Sequence, residues 1–307
     1  MDTSSRSGIL LVDKAGGMTS HDVVSRARRL VGTRRIGHAG TLDPMATGLL
    51  ILGVNGSTRL LTYLVGLDKE YLATIRLGAS TPTDDADSPV DVLANPDRLA
   101  ALTDQDVATA IAPLTGDIRQ IPSTVSAIKV DGRRAYARAR AGEAVELGAR
   151  PVTISAFDVL SARHGEFFDL DVRIECSTGT YVRALARDLG RSLGVGGHLT
   201  ALRRTRVGPF EISDAHTLDG LDVASMLLEP ADVARRLFPV MELTLQQCVD
   251  LGHGKRVHMS EHRVSGDDAT AAPVAAIAPD GRLVGLVEIE QGVAKPIINF
   301  PEECGTT

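Results

Sequence analysis

The segment 37–48, which reads Gly-His-Ala-Gly-Thr-Leu-Asp-Pro-Met-Ala-Thr-Gly, constrains the backbone more than any other part of the chain. Its glycines permit backbone angles that other residues avoid, and Pro44 fixes one angle of its own and restricts Asp43 before it. Asp43 is therefore expected at the apex of a tight loop. An ordinary Asp-Pro turn, with the side chain bonded to its own backbone, would show the same pattern. His38 and an arginine-rich run directly precede the loop, and this combination favours a functional carboxylate.

The hydrophobic pattern predicts a mixed α/β (α+β) domain with mostly local, antiparallel strand pairing. Short apolar or alternating runs predict strands at 9–13, 70–77, 152–160 and 167–176. Helical spacing predicts helices from Ser20, at 57–65, after Thr103 and at 180–193. Ser20 is expected to cap the first helix, with Val23, Val24, Ala27, Leu30 and Val31 on its buried face. Asp131-Gly132 predicts a hairpin turn, and the acidic stretch 80–106 is interpreted as a surface excursion.

The pattern changes near 230–239, which suggests a second domain. A short helix at 244–251 is followed by two strand-like runs around Pro279-Asp280-Gly281. We expect a main domain at 1–235 and a small β-barrel-like domain at 236–307. So short a segment forms only a marginal core by itself.

Composition favours a cytoplasmic globular protein. The N-terminus lacks the features of a signal peptide, and no apolar run is long enough to span a bilayer. Cys176, Cys248 and Cys304 are far apart and odd in number, so no disulfide framework is implied.

The net charge of −6 conceals three basic segments. Segments 26–35, 129–140 and 181–206 carry +5, +4 and +5, which leaves −20 for the rest of the chain. A local basic patch, rather than the net charge, attracts phosphates. Charge alone leaves open whether these segments meet in space or are separate solvated faces.

Several motifs together resemble one family. GHAGTLDPMATG, LVDKAGGMTSHDVV, DKEYLATIRLG, IPSTVSAIKVDGRRAYARAR, CSTGTYVRALARDLG and HLTALRRTRVGPF occur in order within residues 8–215. They resemble the motifs of the bacterial TruB-type pseudouridine synthases, and of actinobacterial-like members in particular. Ala15 stands where that family usually has proline.

The resemblance implies a pseudouridine synthase fold with a central antiparallel sheet and a C-terminal PUA-type RNA-binding domain. It also implies isomerisation of the uridine at position 55 in the T-loop of tRNA. It implies that Asp43 is the catalytic carboxylate, that Tyr71 stacks on the target base and that Arg183 pairs with Asp43. Leu202 would line the uracil pocket, and His38 would fill the gap left by flipped bases. The candidates for RNA contact are Lys14, Lys129, Arg203 and Arg204. The T-arm of tRNA is the expected partner of a monomer, without metal or cofactor.

A carboxylate suits this chemistry because the reaction breaks and remakes a bond at a glycosidic carbon. Whether Asp43 acts as nucleophile or as base stays open. A uridine in a folded loop must be flipped out, and a flipped base needs an aromatic or apolar pocket. The isomerisation is redox-neutral, so no cofactor is expected.

Two other functions use the same features. A non-catalytic tRNA-binding or folding factor would not need the set Asp43, Tyr71 and Arg183. An N-glycoside hydrolase would need a held water and usually a second acid. Two groups of residues have spacings that resemble metal sites, but both are interpreted as loops without metal. They are Cys248 with His253, His258 and His262, and the cluster Asp84, Asp85 and Asp87.

Overall fold

A computed structural model describes residues 5–123, 129–130, 133–134, 148–219, 222–258, 264–265 and 273–300. The strands are β1 (Gly8–Lys14), β2 (Ile36–Ala39), β3 (Thr47–Val54), β4 (Lys69–Leu77), β5 (Ala79–Ser80), β6 (Val92–Leu93), β7 (Gly116–Gln120), β8 (Lys129–Val130), β9 (Arg133–Arg134), β10 (Arg150–His164), β11 (Phe168–Cys176), β12 (Gly197–Val207), β13 (Phe210–Glu211), β14 (Val240–Glu242), β15 (Val257–His258), β16 (Val264–Ser265), β17 (Val274–Ile277), β18 (Leu283–Glu290) and β19 (Val293–Asn299). The α-helices are α1 (Ser20–Val31), α2 (Leu61–Val65), α3 (Pro96–Ala100), α4 (Asp104–Ile111), α5 (Val182–Leu193), α6 (Val223–Met226), α7 (Pro230–Leu237) and α8 (Leu245–Gly252). A 3₁₀ turn, Asn55–Leu60, leads into α2.

Nine of the described strands form one sheet. Its order is β1-β3-β12-β4-β11-β10-β7, with β2 beside β3 and β13 beside β12. Neighbours run antiparallel except β3 and β12, which pair in parallel at Thr47–Arg203 and Gly48–Arg204. The predicted α+β class and mostly antiparallel sheet are confirmed. Strands β8 and β9, on either side of the predicted turn, pair antiparallel, while Asp131-Gly132 lies outside the described residues.

The main core lies between this sheet and helices α1 and α5. Strand β4 alternates buried and more exposed residues, as a strand with one covered face does. Val23, Val24 and Ala27 of α1 and Leu185 and Leu189 of α5 are buried in this core. Burial of an apolar stripe on each helix fixes both helices against the sheet.

A second core joins the central sheet to the C-terminal residues. Ile9 and Leu11 of β1, and Leu49 and Ile51 of β3, face away from the main core. They form one buried cluster with Ile277, Leu283, Leu286 and Phe300 of the C-terminal part. The C-terminal sheet, ordered β15-β19-β18-β17-β14-β16, therefore shares its core with the main domain. The predicted strand–turn–strand of β17 and β18 is confirmed, while the domain boundary at 235 stays a prediction.

The structure corrects three local predictions. Thr19, not Ser20, caps α1, in a reciprocal box with Asp22. Leu30 is 45% exposed, because it lies off the buried stripe. The stretch 80–106 is not wholly a surface excursion. Thr81, Asp84 and Asp85 are buried, and α3 and α4 follow them. The helix predicted after Thr103 is confirmed, and Thr103 forms a capping box with Asp106.

No helix in the described part of the chain is both long and apolar enough to cross a membrane.

Candidate active site

A cavity of about 260 Å³ lies where the loop after β2 meets strand β4 and the start of helix α5. The residues that line it are Gly40, Thr41, Leu42, Asp43, Val65, Lys69, Tyr71, Ser177, Thr178, Gly179, Thr180, Tyr181, Val182, Arg183, Leu202 and Arg204. Five of the residues singled out from the sequence thus line one cavity: Asp43, Tyr71, Arg183, Leu202 and Arg204.

Asp43 pairs with Arg183 in this cavity. Arg183 Nε lies 2.9 Å from Asp43 Oδ2 and 3.5 Å from Asp85 Oδ2. Arg183 Nη1 also donates to the Thr83 carbonyl at 2.8 Å. The Arg183 side chain is 5% exposed, whereas that of Asp43 is 36% exposed. A buried guanidinium with several fixed partners has little freedom, so it orients the Asp43 carboxylate towards the open cavity.

The environment makes Asp43 more basic than an ordinary aspartate. Burial raises its pKa and Asp85 adds to the rise, while Arg183 and Lys14 lower it. Desolvation disfavours the charged carboxylate, and the guanidinium only partly offsets this. Arg183 therefore favours the ionised form, as expected, but burial is the larger effect. A carboxylate with a raised pKa is a stronger base and nucleophile once it is ionised.

Two side chains hold the loop that carries Asp43. Ser20 Oγ donates to the Leu42 carbonyl at 3.1 Å and accepts from the Leu42 amide at 2.9 Å. Lys14 Nζ donates to the carbonyls of Pro44 at 3.3 Å and Met18 at 2.7 Å. The residues on both sides of Asp43 are thus tied to the start of α1 and the end of β1.

Arg204 hydrogen-bonds the same loop and strand β3 that follows it. Its Nε donates to the Leu49 carbonyl at 2.8 Å, and its Nη2 donates to the Gly40 carbonyl at 3.0 Å. Gly48, with φ +100°, packs directly on the Arg204 backbone, where a Cβ atom would overlap the Arg204 carbonyl. Glycine is required there by both the angle and the close approach.

Tyr71 and Leu202 form the wall of the cavity. Their strands β4 and β12 are adjacent, with Tyr71 opposite Arg204 and Leu202 opposite Ala73. Tyr71 is 8% and Leu202 7% exposed. Burial raises the pKa of Tyr71, and the nearby Arg204 guanidinium offsets part of that rise. A fixed ring beside an aliphatic side chain suits a flat heterocyclic base.

His38 lies on β2 and is not part of the cavity lining. Its ring meets that of His21 edge to face, with centroids 5.7 Å apart. Its Nδ1 atom is buried and has no hydrogen-bond partner in the described part of the chain. Burial, His21 and Arg204 all lower the pKa of His38, so the ring favours its neutral form.

Two residues of the site were missed by the sequence interpretation. Asp85 had been assigned to a solvated loop, yet its carboxylate is 3% exposed and contacts Arg183. Lys69 lines the cavity, donates to the Val65 carbonyl at 2.7 Å and also to the Leu67 carbonyl. Burial lowers the pKa of Lys69 to about 8. Strand alternation could have revealed Lys69, since it lies two residues before Tyr71 and so shares its face.

Two of the RNA-contact candidates are buried. Lys14 and Arg204 are each 1% exposed and bond backbone carbonyls, so neither places its charge on the protein surface. Arg203 lies on the opposite face of β12 from Leu202 and binds Asp13 through two bonds of 3.0 and 2.7 Å. The side chain of Lys129 lies outside the described residues.

The basic segments differ in how much of their charge is free. In segment 181–206, Arg183, Arg187, Arg203 and Arg206 are all ion-paired. In segment 26–35, Arg29, Arg34 and Arg35 are exposed and form no ion pair with any described residue. Segment 129–140 lies largely outside the described residues. Among the described residues of these segments, the exposed arginines without an ion pair are therefore Arg28, Arg29, Arg34 and Arg35 of 26–35 and Arg191 of 181–206.

The metal-site look-alikes have other partners. Asp84 contacts Arg187 at 3.3 Å, and Asp85 accepts from the Thr83 hydroxyl at 2.6 Å. Among the residues that the structure describes, no group of three or more His, Cys, Asp or Glu side chains is placed to hold a metal ion. His262 lies outside those residues.

Several solved structures share the fold of this chain. "Structure of H/ACA RNP bound to a substrate RNA containing 2'-deoxyuridine" matches with a TM-score of 0.70 at 21% identity, over 97% of this chain and 86% of that one. "Crystal Structure of a Cbf5-Nop10-Gar1 Complex" matches with a TM-score of 0.70 at 23% identity, over 97% and 85%. At these identities the likeness shows the fold alone, which is the pseudouridine synthase fold that the motifs had implied.

Family models and curated relatives are more specific. The TruB family pseudouridylate synthase N-terminal model matches residues 28–182, and two C-terminal models of tRNA pseudouridine synthases match 183–246 and 238–301. Proteins named tRNA pseudouridine synthase B are 57% identical in Leifsonia xyli subsp. xyli, over 97% of both chains, and 54% identical in Arthrobacter sp., over 96% of both. The chain belongs to the TruB family of pseudouridylate synthases, and the predicted resemblance is confirmed.

Proposed function

We propose that the protein isomerises the T-loop uridine of tRNA, at position 55, to pseudouridine, with Asp43 as the catalytic carboxylate. The proposal rests on one observation above all. Asp43 is paired with a buried arginine in a cavity walled by Tyr71 and Leu202. Membership of the TruB family supports the reaction, and the names of the curated relatives support tRNA as the substrate.

The reaction moves one bond and one proton. The N1–C1′ bond breaks, the uracil rotates, and C5 bonds to C1′, while the proton lost from C5 is balanced by one gained at N1. Asp43 serves either as the nucleophile at C1′ or as the base on the sugar. Arg183 orients its carboxylate, and Tyr71 and Leu202 hold the flipped uracil. Atoms and charge balance without a redox partner.

Exposed arginines of segment 26–35 supply the RNA-binding charge in this proposal. Arg34 and Arg35 immediately precede β2, the strand that leads to the Asp43 loop. Phosphates of the T-arm near the flipped uridine would lie against Arg29, Arg34 and Arg35. We assign residues 236–307 to a PUA-like domain that adds RNA contacts, and we take the active form to be a monomer in the cytoplasm.

An unmodified tRNA transcript tests the reaction. Wild-type protein should convert the T-loop uridine to pseudouridine without releasing free uracil, as measured by modification-specific mapping and by chromatography of the supernatant. Asp43→Asn is nearly isosteric but lacks a nucleophilic carboxylate, so it should abolish conversion with tRNA binding close to wild type. Asp91→Asn, at an exposed carboxylate, is the matched control.

Three outcomes contradict the proposal in different ways. Free uracil in the supernatant would indicate a hydrolase. Binding of tRNA by the wild type without any conversion would indicate a folding factor. Full activity of Asp43→Asn would show that Asp43 is not the catalytic carboxylate.

A further inference from the structure

Gln120, the last residue of β7, binds the backbone of Tyr181 with both ends of its side-chain amide. Gln120 Nε2 donates to the Tyr181 carbonyl at 3.0 Å, and the Tyr181 amide donates to Gln120 Oε1 at 2.8 Å. Gln120 is 3% exposed, so water does not compete for these bonds. The amide supplies a complementary donor and acceptor, as a neighbouring strand would.

Tyr181 is the N-cap residue of helix α5, directly before its first residue Val182. Its carbonyl accepts from the amides of Ala184 at 3.1 Å and Leu185 at 3.3 Å, besides the bond from Gln120. The Tyr181 side chain does not cap the helix. The first turn of α5 is therefore fixed from outside by Gln120, and Arg183 belongs to that turn.

The neighbouring residue makes a second link to the same helix. Arg187 Nη2 donates to the Ile121 carbonyl at 2.8 Å, and its Nη1 contacts Asp84 at 3.3 Å. Asp84 directly precedes Asp85, which faces Arg183. The end of β7, the start of α5 and the loop that carries Asp85 are thus bound together around Arg183.

We propose that Gln120 is a positioning residue of the active site, which sets the Arg183 guanidinium against Asp43 by fixing the Tyr181 backbone. Gln120 does not line the cavity, so it acts through Tyr181 rather than on the substrate. This inference rests on the proposed function, because it assigns Gln120 to the same site.

The pH profile of the reaction rate distinguishes a positioning role of Gln120 from a purely structural one. Arg183 and Lys14 lower the pKa of Asp43, while Asp85 raises it. Asp87 is a further carboxylate whose charge interacts with that of Asp43. If Arg183 moves away, the pKa of Asp43 rises and the acid limb of the rate profile moves to higher pH. A loss of stability alone does not move that limb.

Gln120→Met and Gln120→Glu test the proposal in the full chain. Methionine keeps the length and loses both bonds, whereas glutamate can still accept from the Tyr181 amide. We expect Gln120→Met to lower the single-turnover rate at saturating tRNA about 10- to 100-fold, the usual cost of removing such a support. Its acid limb should move to higher pH, with tRNA affinity within about twofold of wild type because the RNA-binding arginines are untouched. Gln120→Glu should fall between wild type and Gln120→Met.

Gln105→Met is the matched control, because Gln105 is exposed and its side chain hydrogen-bonds, among the described residues, only Thr109 of its own helix. Folding is checked by circular dichroism and melting temperature. If Gln120→Met does not fold, the pH profile of Gln120→Glu tests the proposal instead. Folded variants with a lower melting temperature, but with wild-type rate and acid limb, would overturn the proposal. A wild-type protein that makes no pseudouridine would instead refute the proposed function.

Discussion

The carboxylate of Asp85 lies 3.5 Å from the guanidinium of Arg183, the group that also pairs with Asp43. Asp85 is itself fixed, because it accepts from the Thr83 hydroxyl at 2.6 Å and from the Asp87 amide at 3.0 Å. One buried cation therefore serves two carboxylates. Asp85 holds Arg183 in place, and its charge also raises the pKa of Asp43.

Replacing Asp85 with asparagine should reduce turnover and change its pH dependence. The shape is kept but the ion pair that holds Arg183 is lost, so we expect a rate about tenfold lower at saturating tRNA. The Thr83 carbonyl still keeps Arg183 beside Asp43, so removal of the negative charge lowers the pKa of Asp43 and the acid limb should move to lower pH. Single-turnover rates across pH measure both effects, with Asp91→Asn as control. An unchanged rate and acid limb would show that Asp85 has no part in positioning Arg183.

Lys69 gives the folded protein a defined dependence of stability on pH. Burial lowers its pKa from 10.5 to about 8 in the folded state. Between these values the unfolded chain binds the proton and the folded chain does not, so the free energy of unfolding rises with pH. Below about pH 8 both states are protonated, and this contribution stays at its minimum.

Lys69→Met should remove that rise. The difference in unfolding free energy between wild type and variant should change by up to the order of 3 kcal/mol from pH 8 to 10.5. Urea denaturation across this range measures it, and the subtraction cancels other groups such as Cys176, whose pKa burial raises to about 11. Parallel pH curves for the two proteins would contradict the buried position of the Lys69 ammonium.

Arg34 and Arg35 should carry RNA affinity that Arg203 does not. Arg34 and Arg35 are exposed and without an ion pair in the described chain, whereas Arg203 is bound to Asp13. Each lost phosphate contact reduces the log–log slope of affinity against salt by about 0.7 to 0.9. Arg34→Ala with Arg35→Ala should therefore flatten the slope and weaken tRNA binding. Arg203→Ala serves as the matched control and should leave the slope unchanged, and the reverse result would place the RNA on the other face of the sheet.

The sequence could predict the residues that local motifs carry, but not those that depend on contacts distant in the chain. The capping box at Thr103 and the loop around Asp43 follow from neighbouring residues. The partnership of Asp85 with Arg183 depends on how a loop folds against a helix nearly a hundred residues away. Burial of Lys14 and Arg204 likewise depends on carbonyls of distant segments. The alternation of side chains along a strand could have predicted which arginines of β12 face the cavity. If Leu202 faces the pocket, Arg204 faces it too, and Arg203 faces away.

Gly48→Ala should destabilise the fold much more than Gly17→Ala. Both glycines have positive φ, at +100° and +78°, so either substitution strains the backbone by about 1 to 3 kcal/mol. At Gly17 an added Cβ meets nothing within 4 Å, whereas at Gly48 it overlaps the Arg204 carbonyl. That contact lies in the parallel pairing of β3 and β12 that carries Leu202 and Arg204 to the cavity, so it cannot relax without moving the site.

Urea denaturation of the two variants measures the difference in unfolding free energy. We expect Gly48→Ala to lose at least about 2 kcal/mol more than Gly17→Ala, because overpacking adds to the shared backbone strain. The single-turnover rate of Gly48→Ala should also fall, since a shifted Arg204 no longer holds the Gly40 carbonyl in place. Equal losses of stability in the two variants would mean that β3 and β12 do not approach each other as closely at this point as the structure indicates.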